Sequence, residues 1–139
     1  MSKMYKRYVE LKKENSSKIY LFKSGIFYIF LDDDAKKMSA VLNLRLTSLN
    51  ADVLKCGFPV NNLEKYLALL KNSGYDVNLV ENINTTPISP KNYLLNSSIH
   101  DLLNDISIIK VDELSIKEAY SLLEVFCNKS KKILTDMEE

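Results

Sequence analysis

With 139 residues, the chain has room for one ordinary domain and a small appendage. Its apolar fraction of 46% supports a core and its charged fraction of 27% a solvated surface, while no apolar run nears the ~18–20 residues of a membrane span and no signal-peptide pattern opens the chain. The net charge of +1 divides unevenly: residues 1–81 carry 13 Lys+Arg against 9 Asp+Glu and residues 82–139 carry 6 against 9, so the front suits a polyanionic partner without requiring one.

The first segment reads as a helix with Met4, Tyr8 and Leu11 on one face, ended by Asn15-Ser16-Ser17. Two apolar runs follow, Ile19–Phe22 and Ile26–Leu31. Their β-branched and aromatic residues, joined through Lys23-Ser24-Gly25, predict a β-hairpin. Asp32-Asp33-Asp34 opens a second helix with Ala35, Met38, Val41 and Leu42 as its apolar face. Acidic residues there bond free amides and complement the helix dipole, so the run needs no metal. Short strands are expected around Leu46–Leu49 and Val53–Cys56, with Gly57-Phe58-Pro59 as a turn. A third helix starts near Asn61 or Asn62, with Glu64 placed for a capping box and Leu63, Tyr66, Leu67 and Leu70 as its stripe. Ser73-Gly74 ends it, and Asp76–Glu81 reads as a last strand.

Residues 83–97 are rich in Asn, Ser and Thr, include Pro87 and Pro90, lack apolar periodicity, and read as a linker. Beyond it, Ile99, Leu102, Leu103 and Ile106 predict a short amphipathic helix. Ser115-Ile116-Lys117-Glu118 then caps a longer one with Ala119, Leu122, Leu123 and Phe126 facing inward. The expected architecture is α+β: a mixed β-sheet flanked by helices over residues 1–82, and a C-terminal helical hairpin over 98–136. A hairpin this small needs another surface to pack on.

Catalysis is poorly served by this inventory. His100 is the single histidine, so any Ser-His or Cys-His pair would have to use it, and no Cys/His zinc site can be assembled. Three glycines leave no Gly-rich phosphate loop. Cys56 and Cys127 have neither metal nor redox spacing and read as reduced core thiols of a cytoplasmic protein. No enzyme activity, metal or cofactor is expected.

Several ordered motifs carry a family resemblance. MYKRYVE at the start, FKSGIFYIF in the hairpin, DDDAKK at the second helix, then CGFP and LEKYLALLKNSGYDV resemble, in order and spacing, the N-terminal mismatch-recognition domain of the MutS family. The likeness covers about residues 3–82. The tail, DLLNDISIIKVDELSIKEAYSLLEVF, resembles the closing helical segment of full-length MutS proteins, although Ser115 and Ile116 stand where that family usually has threonine and proline.

The resemblance implies a wedge. In the family a phenylalanine inserts beside a mismatched base and a glutamate two residues later bonds it. Phe27 falls on the phenylalanine, but Ile29 falls on the glutamate and Ile26 on a neighbouring aspartate, and Val60-Asn61-Asn62 replaces a common Tyr-His-Ala. An aromatic face stacks on an unpaired base and kinks the duplex, whereas isoleucine offers no hydrogen bond, so base reading would rest on wedge and shape. Phe27, Tyr28 and Ile29 in the strand, with Lys23, Lys36 and Lys37, are the expected DNA-binding residues, and Lys3, Lys6 and Arg7 are further phosphate candidates. A buried strand aromatic is the competing reading of Phe27, and a solvated surface charge that of each cation.

Three functions compete. The first is a stand-alone mismatch-recognition module without an ATPase, binding double-stranded DNA weakly in the cytoplasm, at the nucleoid when engaged. The second is a protein-interaction module that uses Leu122, Leu123 and Phe126 of the tail to bind full-length MutS or a second copy of itself. A degenerate remnant without activity is the third.

Overall fold

A computed structural model describes residues 2–138. They divide into two compact units, one running to Pro90 and the other starting at Lys91. No helix among the described residues is long and apolar enough to cross a membrane.

The front unit opens with α1 (Lys3–Glu14), whose start is capped by the Ser2 hydroxyl accepting from the Tyr5 amide at 3.1 Å. β1 (Ile19–Ser24) and β2 (Phe27–Leu31) form the expected antiparallel hairpin. Then come α2 (Asp32–Leu42), β3 (Thr47–Ser48), β4 (Leu54–Pro59), a 3-10 turn (Val60–Asn62), α3 (Leu63–Lys71) and β5 (Val77–Val80). The sheet order is β3-β4-β2-β1-β5, antiparallel except for the parallel β1–β5 pair. It is the mixed sheet with flanking helices that the alternation of strands and helices predicts.

Both faces of the sheet are covered. On one, Tyr8 and Leu11 of α1 pack with Tyr20, Phe22, Ile29, Leu31 and Val80. On the other, the Cys56 thiol of β4 donates to the Ala35 carbonyl of α2 at 3.4 Å, and Phe58 of β4 stacks on Tyr66 of α3 with ring centroids 4.2 Å apart. Double coverage explains why Ile19–Phe22 and Val77–Val80 are buried throughout rather than alternately.

Several local expectations are corrected. Gly57-Phe58-Pro59 is not a turn: it lies in β4, paired with β2 through Gly57↔Ile29 and Tyr28↔Phe58. A Cβ at Gly57 would run into the Tyr28 carbonyl oxygen, so the glycine serves close strand approach. Val41 is exposed although Ala35, Met38 and Leu42 are buried. No side chain caps α2 or α3, so neither the aspartate run nor Glu64 plays the expected capping part. Asp34 is instead fully buried: it accepts from Lys12 Nζ at 2.8 Å and from the Tyr20 amide at 3.0 Å, tying α1, β1 and α2 together.

The segment expected as a linker carries regular structure from Ile88 onward. Ile88 bridges Leu79 at the β5 edge, with reciprocal amide–carbonyl bonds of 2.7 and 2.9 Å, and α4 (Pro90–Ser107) starts inside the segment. Proline suits a first helical position, where its missing N–H leaves no partner wanting.

In the second unit, α4 is followed by a 3-10 turn (Val111–Glu113) and α5 (Ile116–Glu138). The Ser115 hydroxyl accepts from the Glu118 amide at 3.1 Å, which is half of the expected capping box. Lys129 and Asp105 pair across the two helices at 3.4 Å. Neither helix has a buried residue.

Candidate nucleic-acid interface

The hairpin tip presents the candidate wedge. Ser24 pairs with Phe27, leaving Gly25 and Ile26 as the two loop residues. Gly25 has φ +60° at the first loop position, a conformation that glycine adopts without strain and that suits a tight hairpin turn. The tip is fixed from its other side, because Phe27 also pairs with Pro59 and the Val60 amide donates to the Ile26 carbonyl at 2.8 Å. Phe27 is therefore held by strands on both flanks while the residue remains 45% exposed, and Ile26 beside it is 71% exposed. The competing reading of Phe27 as a sealed core aromatic does not hold.

The other strand candidates point elsewhere. Tyr28 is buried on the opposite face, and its hydroxyl donates to Glu81 Oε1 at 2.8 Å. Ile29 is 8% exposed and belongs to the α1-side core. The position where the family resemblance implies a base-bonding acid thus holds an apolar side chain packed inside the fold. Period-2 alternation with Leu31 could have signalled this, since Ile29 and Leu31 share one face of β2.

The cations do not converge on Phe27. Lys23 stands across from Tyr28 on the opposite face, its ammonium 3.8 Å from Glu81. Lys36 and Lys37 lie in α2, past the far end of β2, roughly 14 Å along the strand from Phe27. Lys36 pairs with Asp33 at 3.5 Å, and Lys37 borders an open cleft with Lys12, Lys13, Tyr5 and Asp32. On α1, Arg7 is turned inward toward Glu10 and the Thr85 carbonyl, each at 3.4 Å, while Lys3 and Lys6 are exposed.

In the tail, Leu122 and Phe126 are half-buried and Leu123 is exposed, so the three expected partner residues do not share one environment. The cysteines also separate. Burial pushes the Cys56 thiol up to about 11, which suits an inert core position. Cys127 is exposed on α5, contrary to the expectation of a second core thiol. Among the described residues, no group of three or more His, Cys, Asp or Glu could hold a metal ion.

The family model for MutS domain I matches residues 2–108. The DNA mismatch repair protein MutS of Petrotoga mobilis is 37% identical over 81 residues, covering 58% of this chain and 10% of that protein. The MutS of Synechococcus sp. strain WH7803 is 32% identical over 122 residues, covering 84% of this chain and 13% of its own length. That of Fervidobacterium nodosum is 30% identical over 135 residues, covering 96% and 16%. The chain therefore spans between a tenth and a sixth of these relatives.

Proposed function

The chain belongs to the MutS domain I family, and from that premise we propose that it is a mismatch-recognition module that reads duplex DNA through shape. The observation that carries the reading is the half-exposed ring of Phe27 on a two-residue turn braced by β1 and β4. A braced aromatic at an exposed hairpin tip enters a base stack where pairing is already weak and widens the kink there. Stacking of this kind is worth about 1–3 kcal/mol per base.

Ile29 has no hydrogen-bonding group to offer the wedged base, and it is turned into the core. The discrimination left to the module is between duplexes that unstack easily and those that do not. The scattered cations predict few phosphate contacts and salt-sensitive affinity, near the ~10⁻⁴–10⁻⁶ M of non-specific binding.

Fluorescence-anisotropy titration of matched and mismatched duplexes at low salt tests this. The mismatched duplex is expected to bind several-fold more tightly, and Phe27→Ala to abolish that difference. Equal affinity in all four combinations removes wedge-based recognition.

A second reading, a protein-interaction module, is favoured by the large apolar side chains of α5 left in solvent, among them Ile116, Tyr120 and Leu123. Full-length MutS and a second copy of this chain are the partners it offers.

A further inference from the structure

α5 carries two apolar stripes, and only one is used within its own unit. Ala119, Leu122, Phe126 and Ile133 are half-buried. The other stripe, Ile116, Tyr120, Leu123, Cys127, Leu134 and Met137, is exposed, with Ile116 at 91% and Tyr120 at 72%. With the half-buried Ser130 included, its spacings alternate four and three along the whole helix. That 3.5-residue period is the seam of a coiled coil, in which Tyr120, Cys127 and Leu134 hold a positions and Ile116, Leu123, Ser130 and Met137 hold d positions. A helix that merely faced solvent would not keep apolar residues in this register.

The flanking charges identify the occupant. The e positions are Lys117, Glu124, Lys131 and Glu138, all exposed, whereas the g positions are Ala119, Phe126 and Ile133. A parallel pair sets e against g, so these charges would find no partner. An antiparallel pair sets e against e. We propose that α5 pairs antiparallel with the α5 of a second copy of this chain, Glu124 facing Lys131 and Lys117 facing Glu138 of that copy.

The same register closes the seam. Leu123 meets Leu134 of the second copy, Tyr120 meets Met137, and the small Cys127 and Ser130 meet near the two-fold axis, so large layers face large and small face small. Sliding by one heptad brings Glu124 against its own counterpart, or Lys131 against its own, and so opposes like charges. Self-complementarity of one patch is what a two-fold interface requires. This inference deepens the interaction reading of the tail and is independent of the wedge, since it concerns the protein without DNA.

Sedimentation of the full chain at low salt, without DNA and with reductant present, tests it. The wild type is expected to be a dimer, and Glu124→Lys or Lys131→Glu alone to weaken association roughly tenfold, because each replaces attractions at both symmetric contacts by repulsions. The double variant Glu124→Lys/Lys131→Glu is expected to recover wild-type association, and circular dichroism to show unchanged helix content in all three. A monomer at every concentration overturns the proposal, and so does a dimer indifferent to the single reversals.

Discussion

Phe27 and Ile29 project from the same face of β2, two residues apart, yet Phe27 is 45% exposed and Ile29 only 8%. The difference is positional. Ile29 lies under α1 with Tyr8, Phe22 and Leu31, whereas Phe27 sits at the hairpin tip beyond that layer. Restoring the family's acid by Ile29→Glu is therefore expected to harm the fold before it helps recognition. A carboxylate among these side chains has no partner, and the substitution should cost about 3 kcal/mol of stability, measured as a lower urea midpoint at neutral pH. Unchanged stability would mean that this position opens to solvent.

Two phenylalanines of the same strand should respond oppositely to truncation. Phe27→Ala removes a half-exposed ring whose backbone is held from both sides, so the loss is expected to stay near or below about 1 kcal/mol. Phe30→Ala removes a fully buried ring and should cost about 3–5 kcal/mol. Parallel chemical denaturation of both variants decides this, and only the first remains a clean probe of DNA binding.

Much of the fold is legible in local pattern. Helix periodicity places Leu63, Leu67 and Leu70 inward, and β-branched and aromatic runs flanking Gly25 place the hairpin. What escapes local reading depends on neighbours far along the chain. Gly57 and Pro59 look like turn residues, but one permits close strand approach and the other ends a strand beside Phe27. Asp34 resembles a dipole-complementing acid until Lys12 and the Tyr20 amide, from two other elements, are found at its oxygens. In the candidate interface, the aromatic's position follows from the hairpin, whereas the dispersal of Lys23, Lys36 and Lys37 follows from strand length and helix placement.

The buried pair Lys12–Asp34 predicts both a stability effect and its pH dependence. Asp34→Ala leaves the Lys12 ammonium without its carboxylate and the Tyr20 amide without an acceptor, at a cost of about 3 kcal/mol. Burial raises the Asp34 pKa above the ordinary carboxylate value, against the pull of Lys12 and the Tyr20 amide. A carboxyl raised in the folded state binds more protons there than in the unfolded chain. Its contribution to stability is thus greatest below the ordinary carboxylate pKa and falls as pH rises to the folded value. Urea titrations across the acid range are expected to show the stability difference between wild type and Asp34→Asn shrinking as pH climbs through that window, then levelling. A difference that grows with pH would mean that ion pairing outweighs burial.

Gly57→Ala joins the fold to the candidate interface. The added methyl would strike the Tyr28 carbonyl oxygen and stand 2.8 Å from Cγ2 of Ile29, with backbone on one side and a core side chain on the other. Neither can rotate away, so β4 must move off β2, at a cost of about 3 kcal/mol. The movement also loosens the Phe27–Pro59 pairing and the bond from the Val60 amide to the Ile26 carbonyl, which brace the tip from the β4 side. Hydrogen exchange should therefore report faster exchange of the Val60 amide in the variant, with the β1–β5 amides retained. Equal protection of Val60 in variant and wild type would show that the tip is held by the β1–β2 turn alone.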